Sequence, residues 1–207
     1  MHITIVGTGN LARGLATRTL AGGHTVMLLG RTAGKAKALS DTLGGRARTG
    51  AVGDHLVGEL IVLAIPYGAV ADVLDGYGGQ LDHKVLVDVT NPVDFTTFTP
   101  LAVPAGSAAQ EIAQQAPGAR VVKAFNTTFA DTLIDGRVAG EALDVLIASD
   151  HDDAKRAVSQ LVNDAGLRAL DVGPLARARE LEALAYLHIT IQPTLGTAYT
   201  SAVKILA

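Results

Sequence analysis

The sequence predicts a doubly wound α/β fold on three observations. Continuous Val/Ile/Leu runs alternate with helix-periodic segments along the chain, the pattern of parallel strands covered on both faces. The first run, Ile3-Thr4-Ile5-Val6, passes directly into Gly7-Thr8-Gly9-Asn10-Leu11-Ala12, a G-x-G-x-x-A turn that opens a helix with Leu11, Leu15, Thr19 and Leu20 along one face. At 207 residues, with 48% of them apolar, the chain is long enough for one domain with a substantial core. The expectation is a Rossmann-type, mostly parallel sheet with a short helical C-terminal extension. It forms a single nucleotide-binding domain over 1–207, of which 174–207 is the extension.

The elements follow in order. After the first strand and its helix comes the strand His24–Leu29, then a helix over Ala33–Leu43 and a short strand near Ala47–Thr49. Leu60–Ile65 reads as a strand closed by Pro66 and followed by a helix over Gly68–Asp75. The strand Lys84–Val89 ends in Thr90-Asn91-Pro92. Thr96–Gly106 is the one loop long enough to look functional. Beyond it the pattern gives a helix over Ser107–Gln115, strands Arg120–Phe125 and Leu143–Ala148, a helix over Asp152–Ala165, a strand over Leu167–Val172 and a last helix from about Ala176 to Ile189.

The glycine turn has a physical use. Gly7 lets the chain reverse, and Gly9 has no side chain to hold a pyrophosphate away from the free N–H groups of the first helical turn. Ala12 takes the small position where helix meets strand. The end of the next strand decides which dinucleotide is read. NAD enzymes usually place Asp or Glu there, whereas this chain has Gly30-Arg31-Thr32, with Lys35 opening the following helix. A pocket of donors suits a dianionic 2′-phosphate and favours NADP(H) over NAD(H).

Composition narrows the function. The net charge of −3 and the absence of any Lys/Arg run argue against nucleic acid or anionic membrane as partner. No apolar stretch reaches the length of a membrane span, and the N-terminus enters the first strand without a signal sequence, so a cytoplasmic protein is expected. There is no cysteine, and the six histidines are never at metal-ligand spacing, so no metal site is expected. Many dehydrogenases with such an N-terminus carry an all-helical substrate domain on the order of 100 residues long. Only about 35 residues follow Val172 here. Lys123, the lysine near a carboxyl strand end, lies two residues inside its strand, so no proton-transfer group is evident. The acceptor is therefore expected to be a flat redox cofactor that needs stacking and alignment.

Five stretches carry a resemblance: Gly7-Thr8-Gly9-Asn10-Leu11, Gly30-Arg31-Thr32, Ile65-Pro66, Val122-Lys123-Ala124-Phe125-Asn126-Thr127, and Gly173-Pro174-Leu175-Ala176-Arg177-Ala178-Arg179-Glu180-Leu181-Glu182. In order and over nearly the whole chain they resemble the NADP oxidoreductases dependent on the deazaflavin coenzyme F420. They also resemble the related reductase domain of the STEAP-type metalloreductases. The last stretch, G-P-L-x-x-x-R-x-x-E after a terminal strand, is the most specific. The resemblance implies direct hydride transfer between nicotinamide C4 and C5 of a deazaflavin, or N5 of a flavin, with the rings stacked at the carboxyl ends of the strands. One departure is local. The F420 enzymes usually read His-Thr-Ile where this chain has Asn126-Thr127-Thr128, a Phe-Asn pair shared with the metalloreductase branch. The second cofactor is thus F420 or FMN/FAD.

Roles follow for single residues. Gly7, Thr8, Gly9, Asn10 and Leu11 are expected at the pyrophosphate, and Arg31, Thr32 and Lys35 at the 2′-phosphate. Ile65, Pro66 and Tyr67 are expected to cover a ribose, with Tyr67 equally readable as a capping aromatic. Asn91, held extended by Pro92, would aim its amide at the nicotinamide ribose or carboxamide, or else form an Asx turn. Phe125 and Asn126 stand where a flat ring could lie, and Asn126, offering both donor and acceptor, is the catalytic candidate. Arg179 and Glu180 read as a surface ion pair or a structural element of the last helix. The segment from Leu187 to Ala207 holds one formal charge, on Lys204, and is expected to pack against a second copy in a two-fold homodimer and to help wall the acceptor pocket. Two other readings stand beside the reductase: a non-catalytic NADP(H) sensor, and a small imine or carbonyl reductase completed by a partner subunit.

Overall fold

A computed structural model describes residues 1–206. Eight strands form one sheet: β1 (His2–Val6), β2 (Thr25–Gly30), β3 (Arg48–Ala51), β4 (Leu60–Leu63), β5 (Val85–Asp88), β6 (Arg120–Lys123), β7 (Asp144–Ala148) and β8 (Arg168–Gly173). Their spatial order is β8-β7-β6-β5-β4-β1-β2-β3. The pairs from β3 through β6 are all parallel. β7 meets β6 through one antiparallel bridge, Ala148 against Lys123, and β8 runs parallel to β7. The sheet is thus mostly parallel, with a reversed pair at one edge. The strand order turns back between β1 and β4, and the crevice beyond the carboxyl ends at such a point is where these folds bind ligands.

Helices α1 (Asn10–Ala21), α2 (Ala33–Thr42), α5 (Ala130–Asp135) and α6 (Asp152–Asp164) cover one face, where Ile3, Ile5, Leu28, Val62 and Val87 meet Leu15, Leu39, Leu133 and Leu161. The opposite face, with Val6, Leu29, Ile61, Leu63 and Leu86, is covered by α3 (Val70–Tyr77), α4 (Ala108–Gln115) and the start of α7 (Ala178–Thr190). A last short helix, α8, spans Gln192–Leu195. Alternate residues of each central strand therefore go to opposite cores, which is why these strands read as unbroken apolar runs. Among the described residues, no helix is long and apolar enough to cross a membrane.

Two close approaches need glycine. A Cβ at Gly7, whose φ is 128°, would lie 2.0 Å from the Ala64 carbonyl oxygen, so only glycine lets β1 turn against the exit of β4. At Gly14 a Cβ would lie 2.6 Å from the Ala130 carbonyl oxygen, and α1 packs on α5 through this gap.

The structure departs from the sequence reading at strand exits and in the second half. β4 ends at Leu63, not Ile65: the Ala64 N–H still bonds the Val6 carbonyl, but the Ala64 carbonyl lies against Gly7, where β1 has already turned away. β6 ends at Lys123, not Phe125, because Phe125 adopts a left-handed conformation (φ 62°). Helix α5 and the two-residue ribbon Arg137–Val138 with Glu141–Ala142, which link β6 to β7, are not in the sequence reading. The loop after Asn91 is tied by a second small ribbon, Val93–Asp94 with Thr99–Pro100. The extension is helical only to Leu195. Its last residues return to β7, where Lys204 Nζ and the Ile205 N–H reach Asp144 at 2.9 and 2.8 Å.

Candidate nucleotide and acceptor site

The exits of β1, β2, β4, β5 and β6 line one edge, and the predicted site residues distribute along it. At one end, Gly9 caps α1 in an extended conformation, and no acidic residue occupies the first turn of α1. A Cβ on Gly9 would meet nothing within 4 Å among the described residues, so the approach to the turn at this point is open. A helix N-terminus with unpaired N–H groups is a ready anion site. Thr8 stands beside Gly30, where a Cβ would come 3.1 Å from Thr8 Cγ2, so the two turns are held against each other.

Arg31, Thr32 and Lys35 are exposed at the exit of β2 and the start of α2. Thr32 is the N-cap of α2, and its hydroxyl makes no capping bond among the described residues. Nor do Arg31 and Lys35 form an ion pair among the described residues. Two cations, a hydroxyl and a helix N-terminus therefore lie within five residues at one strand exit, as donors without an internal ion-pair partner among the described residues.

Ile65 packs against the core beneath the β4 exit and Pro66 is exposed. Tyr67 is partly buried at the β4 exit. Its hydroxyl donates to Glu111 on α4, and burial followed by that carboxylate raises its pKa well above the usual phenol value. The bond ties the β4 exit to α4.

At the other end of the edge lies a cavity of about 230 Å³. Leu11, Val89 and Asn91 form its floor towards the glycine turn, and Asn126 and Phe129 line the β6 side. Phe95 and Phe98 reach in from the ribboned loop, and Ile189 and Tyr199 from the C-terminal extension. Tyr199 meets Phe129 edge to face at 5.3 Å, and Phe129 lies 4.3 Å from the His188 ring, whose pKa burial lowers. The protein thus supplies the C-terminal wall from its own chain.

Asn91 and Asn126 are locked to each other. The Asn91 amide donates to the Asn126 carbonyl at 2.9 Å, and the Asn126 amide donates to Asn91 Oδ1 and to the Leu181 carbonyl, each at 3.0 Å. Asn126 Oδ1 is buried without a partner among the described residues. A buried acceptor without a partner calls for an explanation, and an N–H donor brought to this side chain would complete it. Phe125 is 3% exposed and packs in the core. Its left-handed turn, held by the Thr128 N–H and hydroxyl on the Phe125 carbonyl, sends the ring into the core and the next side chain, Asn126, to the cavity.

Two residues beneath this pair were not read from the sequence as site residues. Lys123 is 0% exposed and bonded to Asp88 Oδ2, Glu182 Oε1 and the Thr90 carbonyl. Glu182 ends the G-P-L-x-x-x-R-x-x-E stretch and sits on the buried face of α7. The signal available was that stretch's spacing, in which Glu182 falls four residues after the buried Ala178, whereas Arg179 and Glu180 form an exposed ion pair.

The family model described as NADP oxidoreductase coenzyme F420-dependent matches residues 2–92. The chain is 32% identical to the F420-dependent NADP reductase of Methanothermobacter marburgensis over 209 residues, covering 92% of each. It is 34% identical over 183 residues to Metalloreductase STEAP3 of Rattus norvegicus, covering 88% of this chain but 36% of that longer protein. Among solved structures, a proposed F420-dependent NADP reductase from an Arthrobacter species superposes with a TM-score of 0.87 at 29% identity, covering 99% of each chain. An imine reductase from Bacillus cereus superposes with a TM-score of 0.65 at 20% identity over 63% of its length, a likeness of fold alone.

Proposed function

Because this chain belongs to the coenzyme F420-dependent NADP oxidoreductase family, we propose that it transfers a hydride directly between NADP(H) and a deazaflavin or flavin. The observation that carries this reading is the pairing of a donor-rich phosphate end with an apolar cavity on the same sheet edge. Among the described residues lining that cavity, Tyr199 is the one titratable side chain. Lys123, three residues before Asn126, has all three of its protons committed to internal acceptors. A carbonyl or imine reduction also needs a proton donor at the reacting atom, a part that among the lining side chains falls to the Tyr199 hydroxyl alone. Hydride exchange between two flat rings needs alignment and exclusion of water, and Leu11, Phe95, Phe98, Phe129 and Tyr199 supply apolar walls for both.

The roles follow the geometry. Backbone N–H groups of Thr8 to Leu11 hold the pyrophosphate, and Arg31, Thr32 and Lys35 hold the 2′-phosphate. Ile65 and Pro66 underlie the ribose. Asn91 fixes Asn126, whose free Oδ1 accepts from the carboxamide or the acceptor edge. When bound, NADP(H) would supply or take the hydride, and a flat acceptor held beside it would be its counterpart.

The test is NADPH consumption with F420, FMN, FAD and riboflavin, each alone. Turnover is expected with at least one of them and none without. NADPH binding with no turnover would make the protein a sensor. Turnover with a cyclic imine or an aldehyde in the absence of flavin would make it a small-molecule reductase.

A further inference from the structure

The ions beneath the cavity are more than the fold needs. Lys123 Nζ donates to Asp88 at 2.8 Å, to Glu182 at 2.7 Å and to the Thr90 carbonyl at 2.6 Å. Asp88 accepts from the Thr90 N–H at 2.8 Å, and the second oxygen of Glu182 accepts from the Ala108 N–H at 3.1 Å. Side-chain exposures are 0%, 0% and 7% for Lys123, Asp88 and Glu182. Burying one cation with two carboxylates is costly, and apolar residues of the same volume would often hold a fold equally well. What the ions add is direction. One ammonium fixes the exit of β5, the end of β6 and helix α7 in a single register.

Those three pieces carry the asparagine pair. Asn91 follows Thr90, Asn126 lies three residues beyond Lys123, and the Leu181 carbonyl that takes the Asn126 amide precedes Glu182. The bond pattern leaves Asn126 Oδ1 as the one unpaired, buried polar atom of a side chain that lines the cavity, among the described residues. We propose that Lys123, clamped by Asp88 and Glu182, is a positioning residue that sets the Asn91–Asn126 pair and, through it, the seating of the nicotinamide. The inference rests on the reading of the cavity as the hydride-transfer site. It adds that the triad governs the ring end of the nucleotide and leaves the phosphate end alone, since Gly9 and Arg31 lie on elements the triad does not touch.

The experiment compares wild type with Glu182→Gln and with the uncharged, volume-matched triple variant Asp88→Asn, Lys123→Met, Glu182→Gln. The triple variant avoids the stranded carboxylates that Lys123→Met alone would leave. Three readouts are taken: NADPH affinity by titration, emission of the bound reduced nicotinamide, and single-turnover hydride transfer to the acceptor wild type uses. Affinity is expected to hold within about threefold while transfer falls roughly 10- to 100-fold. The emission should move towards that of free NADPH. If wild type reduces no flat acceptor, the proposed reaction fails, yet the emission comparison still decides the positioning role. Unchanged emission and transfer in the triple variant would overturn the proposal. So would a folded variant that no longer binds NADPH, or a triple variant that does not fold, because the triad would then hold the whole sheet and not one pair of side chains.

Discussion

Arg31 stands exposed at the β2 exit, and its guanidinium has nothing of its own to pair with among the described residues. A charge-assisted bond to a phosphate contributes on the order of 1.5–3 kcal/mol. Arg31→Ala should therefore weaken NADPH by roughly ten- to a hundredfold and leave NADH nearly unchanged. Titration with both nucleotides checks this, and equal weakening would place the 2′-phosphate elsewhere. Asn126 makes a different demand. Asn126→Ala should lower the rate of acceptor reduction in stopped flow at saturating NADPH while nucleotide affinity stays largely intact, and an unchanged rate would remove it from the site. The same change strands the Leu181 carbonyl and Asn91 Oδ1, so a stability loss of about 1–3 kcal/mol should accompany it. Phe125 shows where a sequence misleads at this scale. A strand reading puts Phe125 and Asn126 together at the sheet edge, but one left-handed residue, costing about 1–2 kcal/mol, separates them into core and cavity.

Elements were legible wherever the physics is local. The strands of the parallel half announce themselves because both faces are buried, and the glycine turn does so because backbone approach and conformation leave no other residue possible at Gly7. The later elements depend on distant partners. Helix α5 is six residues with Asp and Thr in its first turn, too short to declare itself, and it forms where Gly14 of α1 lets it approach. Glu182 and Lys123 lie 59 positions apart, and nothing in their spacing shows that they meet. The C-terminal strap is of the same kind. Asp144 accepts from Arg168, from the Ile205 N–H and from Lys204, and these outweigh burial, which alone would raise its pKa, to hold it at about 2. A folded pKa below the ordinary 3.8 means that the carboxylate stabilises the protein above that value and that its contribution is lost as pH falls from 3.8 towards 2. Asp144→Asn should thus cost on the order of 2 kcal/mol at pH 7, with the gap to wild type closing at pH 3 and below. Denaturant melts across that range provide the check, and a gap that stays constant would assign the loss to packing.

The whole molecule leaves a conspicuous apolar surface around its cavity. Phe95 is 59% exposed, Leu187 61% and Leu195 51%, and the Tyr186 hydroxyl bonds the Phe98 carbonyl, so the ribboned loop and the C-terminal helices adjoin. Water on that surface costs about 25 cal/mol per Å² that a partner could cover. A two-fold dimer is the commonest solution, and light scattering should give about twice the 21.3 kDa chain mass. Because Tyr199 reaches the cavity within one chain, assembly and pocket can be separated. Leu187→Glu, on the exposed face and away from the cavity lining, should yield a monomer that still binds NADPH. Truncation after Gln192 removes Tyr199 together with the Lys204 and Ile205 ties to Asp144, and should yield monomer or aggregate with loss of reductase activity. A full-length protein that runs as a monomer at micromolar concentration, with a truncated form that still turns over, would show that neither the dimer nor the C-terminal wall serves the reaction.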